Sequence, residues 1–171
     1  INASLTGHLV FSTLHTNDAA GTFPRLIDMG VSADILGAAV TVAMAQRLVR
    51  KICPACKQEV PLTKVLEEEI KKDLLNIPEE YFEGVDKKQY KIYKGAGCEK
   101  CGHTGYVGRF GIFEVLPSTA EIQELVSNKS SGSKIYEVAA KLGMITMKQD
   151  GLVKALRGET TMDEIIRVTT E

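Results

Sequence analysis

Apolar and polar positions change period several times along the chain, and each change marks an element. Residues 8–14, His8-Leu9-Val10-Phe11-Ser12-Thr13-Leu14, form a short β-rich apolar run of the kind buried in a parallel sheet. Before it, Ile1 to Leu5 reads as the end of a helix stopped at Thr6-Gly7. After it comes a polar corner, His15-Thr16-Asn17-Asp18, leading into a helix with Asn17 or Asp18 as N-cap and Gly30 as its stop. Ser32 then caps a short helix over 33–39, and alternation from Val40 to Met44 continues as a strand to Ile52. Because Ala, Met, Gln, Leu and Arg favour helix, an all-helical reading of 33–52 is its competitor.

Further on, Pro61-Leu62-Thr63 opens a helix over 64–76, with Val65, Leu66, Ile70 and Leu74 at helical spacing. Its Glu67-Glu68-Glu69 and Lys71-Lys72 form a solvated face. One more turn is expected at 78–82, and strands at 90–94 and 106–115. Beyond Pro117 the chain turns helical. Ser118 to Glu121, Thr146 to Gln149 and Thr161 to Glu164 each fit a capping box, predicting helices at about 119–127, 133–142, 147–157 and 162–168 with a flexible linker over 127–132.

The cysteines change the picture most. All four fall in two C-x-x-C pairs, Cys53-Pro54-Ala55-Cys56 and Cys98-Glu99-Lys100-Cys101, separated by residues 57–97. A two-residue gap lets both thiolates of one turn face a single tetrahedral ion, and two such turns complete a shell of four sulfurs. Zinc fits that shell and so does a single iron, while paired disulfides or one redox-active pair use the same residues. Gly95, Gly97 and Gly102 suit knuckles in which amides approach sulfur. His103 is read as a loop residue. Four thiolates leave no open position for water, so the metal is structural, and its loss is expected to unfold 53–110 while sparing the terminal helices.

Charge narrows the partners. With 21 basic and 22 acidic residues the formal net charge is -1, which offers no global attraction to nucleic acid. No apolar run reaches the roughly 20 residues of a membrane span. The opening at Ile1 reads as a piece of something longer. A polar corner after a sheet strand is where α/β folds bind ligands, so a catalytic or phosphate-sensing role for its histidines stands beside a plain capping network.

Taken together, the run from Leu5 to Asp18, Arg25 to Gly30, Ala45 to Arg50, the two cysteine pairs, Thr104-Gly105-Tyr106 with Gly108-Arg109, Glu114 to Pro117, and Asp150 to Thr161 resemble the secretion-motor ATPases of bacterial type II secretion and type IV pilus assembly. The resemblance implies an α/β fold: the C-terminal part of a RecA-like parallel-sheet core over 1–52, an inserted zinc-binding subdomain over 53–110 and a helical subdomain over 111–171. It implies a cytoplasmic homo-hexamer that uses ATP and Mg and docks on an inner-membrane platform protein, with no direct nucleic-acid partner. The Leu5–Asp18 stretch looks like the family's histidine box, so His15 would position or sense the terminal phosphate and His8 would support it. The tetracysteine arm favours the assembly and secretion branches over the retraction ATPases.

One departure from the family pattern is large. No G-x-x-x-x-G-K-[ST] phosphate loop occurs in the 171 residues, so this chain alone is expected not to hydrolyse ATP. A zinc ribbon that grips nucleic acid and a purely structural interaction domain are the alternative readings.

Overall fold

The computed structural model describes residues 1–75 and 77–170. They form a mixed α/β structure in two compact units, one made of 1–45 with 114–144, the other of 46–113 with 145–171.

The first unit holds α1 (Asn2–Leu5), α2 (Thr22–Asp28), α3 (Ala33–Ala39), α5 (Ala120–Ser127) and α6 (Gly132–Lys141). Its interior is Phe23, Leu36, Leu116, Ile122, Val126 and Ile135, each nearly sealed from solvent. Helix α3 lies so close to α5 that a methyl group on Gly37 would sit 3.1 Å from the Gln123 Cβ. Ser118, expected to help cap α5, instead donates its hydroxyl to the Gly37 carbonyl at 3.0 Å, and Thr119 accepts the Ile122 amide as the true N-cap. A side chain that can tie two helices together is thus taken from the cap it could have made.

Two expectations for this unit are corrected. Residues 8–14 are not a buried strand: they belong to no sheet, and Leu9 and Phe11 are 84% and 88% exposed. The run has the composition of a central strand, but the described residues offer no neighbouring strand to pair with its backbone, and pairing is what buries such a run. Likewise neither Asn17 nor Asp18 caps α2, which begins at Thr22 after Gly21; the Asp18 carboxylate closes a local turn by accepting the Gly21 amide at 2.7 Å.

In the chain between these helices, β1 (Val42–Ile52) pairs with β4 (Tyr106–Pro117). Residues 33–52 are therefore helix then strand, because alternating burial along β1 satisfies a sheet and no helical face.

The second unit adds β2 (Lys57–Val60), α4 (Lys64–Asp73), β3 (Ile92–Gly95), α7 (Met147–Leu156) and α8 (Met162–Thr169). Strands β2 and β3 are antiparallel, with Lys57 opposite Gly95 and Val60 opposite Ile92. Helix α4 buries Ile70 and leaves Val65 69% exposed, so its apolar stripe is narrower than its sequence spacing suggests. The end expected for it at Asn76 lies outside the described residues. Thr146 and Gln149 form the capping box expected at the start of α7.

Helices α7 and α8 are fastened to the sheet strands and the arm by polar contacts. Asp150 accepts the Phe113 amide at 2.8 Å and the Lys154 ammonium at 2.7 Å, and Lys154 also donates to the Gly111 carbonyl. Arg157 donates to the Tyr81 and Glu83 carbonyls, both at 2.8 Å. The strongest fastening is Glu164, 1% exposed. Thr161 caps α8 through the Glu164 amide, but the Glu164 carboxylate does not complete a capping box. It accepts instead from the Arg50 amide at 3.0 Å and from the guanidinium groups of Arg50 and Arg167. Arg50 stacks over the Tyr106 ring at 4.1 Å, and Thr160 donates to the Arg50 carbonyl at 2.8 Å.

Burial by itself would raise the Glu164 pKa; its hydrogen bonds from Arg50 and Arg167 outweigh that and hold it at about 2, below the ordinary 4.5. A carboxylate depressed on folding stabilises fully above its unfolded value and loses that contribution as pH falls through the folded one. Glu164→Gln is therefore expected to cost about 2 kcal/mol at pH 7, the scale of a charged hydrogen bond. The gap to wild type should close as the pH falls from about 4.5 to about 2, as read by urea unfolding across that range. A gap independent of pH would contradict this assignment.

Candidate metal centre

Strand β1 ends at Ile52 and delivers Cys53 directly into a tight turn, closed where the Cys56 amide donates to the Cys53 carbonyl at 3.2 Å. Strand β2 leaves from that turn and β3 returns, so the antiparallel pair brings the second knuckle back beside the first. Cys98 to Cys101 form a single 3-10 turn, with the Cys101 and His103 amides donating to the Cys98 carbonyl. The knuckles are then joined backbone to backbone: the Ala96 amide donates to the Cys56 carbonyl, and the Cys53 amide to the Gly105 carbonyl, each at 2.9 Å.

This brings all four sulfurs within 4.8 Å of one another. Cys53 to Cys98 and Cys56 to Cys101 are 3.9 Å, and Cys98 to Cys101 is 3.7 Å. A regular tetrahedron of sulfurs at roughly 2.3 Å from a central ion has edges of about 3.8 Å, so these spacings leave room for one ion. A disulfide needs sulfurs about 2 Å apart, and all four cysteines are free. Cys53, Cys56 and Cys101 are buried and Cys98 is partly so.

Around the sulfurs the electrostatics are uneven. Burial pushes the Cys56 thiol up to about 11. Burial also opposes ionisation of Cys101, but the amides of Cys98 and Gly105, at 3.2 and 3.3 Å from its sulfur, help to bring it down to about 6. Amide donors aimed at sulfur favour thiolates, the form that ligates metal. The arrangement can hold a tetrahedral thiophilic cation, and a shell completed by protein leaves no coordination site for a substrate.

The predicted histidines lie elsewhere. His8 and His15 are both exposed and flank the extended segment of the first unit; the His8 Nδ1 is 3.3 Å from the Thr6 hydroxyl. His103 is an exposed loop residue with φ of 60°. Two buried acids escaped the sequence reading: Glu164, described above, and Glu114, 2% exposed, whose carboxylate accepts the Ala19 amide at 2.7 Å. Glu114 had a signal, since it occupies an inward position between Ile112 and Leu116 in the alternation of β4.

Fold and site define a mixed α/β protein with a paired-knuckle four-cysteine centre. Comparison with known proteins narrows this class. The sequence model of the family described as Type II/IV secretion system protein matches residues 1–167, and the chain belongs to that family. Its relatives include the type IV pilus assembly ATPase PilB of Thermus thermophilus, 44% identical over 99% of this chain and 18% of its own length. The PilB of Pseudomonas aeruginosa is 39% identical over 100% of the chain and 28% of its length. The type II secretion system ATPase E of Vibrio cholerae is 39% identical over 100% of the chain and 31% of its length. The chain thus spans less than a third of each of these relatives.

Proposed function

We propose that this chain is the trailing part of an ATP-hydrolysing motor that drives type IV pilus assembly or type II protein secretion. The observation that carries the reading is similarity over essentially the whole chain to proteins named as ATPases of those two systems. In this reading residues 1–52 close a RecA-like core, 53–110 form the metal arm and 111–171 supply the helical end. The working protein is a hexamer on the cytoplasmic side of the inner membrane, held there by a platform protein. No helix among the described residues is long and apolar enough to cross a membrane.

Cys53, Cys56, Cys98 and Cys101 hold a structural zinc ion, which ties the two knuckles together and takes no part in chemistry. His15 donates a hydrogen bond to the terminal phosphate of ATP, and His8 supports that site. Loss of the phosphate frees His15 and, through the corner at 15–21, moves α2. ATP and Mg are gripped by residues of the parent protein outside these 171, which contain no phosphate loop.

The test is a phosphate-release assay on two proteins. The full-length parent is expected to turn over ATP, and this chain alone to release none above background. Turnover by the isolated chain would overturn the division of labour, and an inactive full-length protein would overturn the motor reading.

A further inference from the structure

Among the groups that the proposed function does not use, Glu114 is the least expected. It stands on β4 in a buried row with Ile112 and Leu116 and is 2% exposed. A carboxylate in such a place is costly unless it is hydrogen bonded. Its Oε1 accepts the Ala19 N–H at 2.7 Å, a charge-assisted length, across 95 positions of sequence. The donor needs the acceptor as much. Ala19 and Ala20 are both 0% exposed, so water cannot satisfy the Ala19 amide, and the first turn of α2 starts only at Thr22.

We infer that Glu114 is a positioning residue for the histidine corner, fixing residues 15–21 so that His15 is presented to the terminal phosphate. This rests on the role proposed above for His15. His15 lies near the end of a stretch, residues 8–16, that belongs to no helix or strand, and the corner at 17–21 follows it directly. That corner is held at two points: Asp18 closes it on itself at Gly21, and Glu114 pins it from β4. The second contact is a hydrogen bond that fixes the corner to another element. Toward Ala19 the requirement is for an acceptor oxygen at that reach.

The test uses the full-length protein and compares Glu114→Gln, Glu114→Asp and His15→Ala by kcat and KM for ATP. Glutamine keeps an acceptor oxygen at the same reach and should retain kcat within threefold. Aspartate keeps the charge but falls one methylene short, and its kcat should drop at least tenfold with KM within threefold. The double variant Glu114→Asp/His15→Ala should be no slower than His15→Ala alone, because a misplaced histidine and an absent one are equivalent. The positioning role is overturned if Glu114→Asp stays within threefold of wild type, if Glu114→Gln is damaged as badly as Glu114→Asp whether by unfolding or by lost turnover, or if the two losses multiply. Full turnover in His15→Ala would instead overturn the reading of His15 itself, and the role of Glu114 with it.

Discussion

Cys98→Ser is expected to release the bound ion and to abolish amide protection over residues 46–113 and 145–170, while 1–45 and 114–144 keep theirs. In the proposed role the metal is not an ornament on a folded lobe. Between Cys53 and Cys101 the described residues hold two four-residue strands, one α-helix and two short 3-10 turns, with Ile70, Leu74, Ile77, Phe82 and Ile92 as the buried apolar side chains beside the cysteine cluster. So small an apolar core offsets little conformational entropy, whereas a structural zinc centre contributes on the order of 10 kcal/mol of folding free energy. The boundary of the loss also follows from the packing. The sequence reading has the terminal helices spared as a group, but α7 and α8 belong to the unit of the metal centre, tied to it by Arg157 at Tyr81 and Glu83, Lys154 at Gly111 and Glu164 at Arg50. Only α5 and α6 belong to the other unit. Hydrogen exchange with mass spectrometry, alongside elemental analysis for zinc and iron, reads both effects, and a chelator should reproduce the variant. Uniform loss across all 171 residues, or full protection without metal, would contradict the assignment.

What the sequence reveals and what it hides divide along a physical line. Local chemistry is legible: the C-x-x-C spacing, the capping box at Thr146 and Gln149, and the strand alternation from Val42 to Ile52 are each dictated by neighbours a few positions away. Long-range partners are not. The apolar run Leu9-Val10-Phe11 has the right residues for a central strand, and only the absence of a paired neighbour among the described residues leaves it exposed. Glu164 fits a capping box by spacing, yet a partner 114 positions away holds its carboxylate. Ser118 likewise serves Gly37, 81 positions back, in place of its own helix. For Glu164 and Ser118 a local motif loses to a contact that only the tertiary fold supplies.

The same distinction sets up a graded test of the knuckles. Gly105→Ala is expected to weaken metal binding by at least 100-fold in a chelator competition, for two separable reasons. Gly105 has φ of +80°, and a Cβ there would lie 2.6 Å from the Gly95 carbonyl oxygen. Neither backbone can yield freely: Gly95 is paired to Lys57 in the β2–β3 register, and the Gly105 carbonyl accepts the Cys53 amide. Two companion variants separate the causes. Gly102 has φ of +58° with nothing within 4 Å of a Cβ, so Gly102→Ala carries the dihedral cost alone, about 1 kcal/mol or about fivefold in affinity. At Gly95 φ is not positive, but a Cβ would lie 2.1 Å from the Gly105 oxygen, so Gly95→Ala carries the steric cost alone. Because metal affinity here is folding free energy, about 3 kcal/mol of backbone clash appears as roughly a 100-fold loss of affinity. Gly102→Ala is expected to be mildest, with Gly95→Ala, whose backbone clash is the closer, and Gly105→Ala, which adds a dihedral cost to its clash, both far more damaging. Equal affinity in Gly105→Ala and wild type would mean that the close approach of the two glycines is not what brings Cys101 to the other three sulfurs.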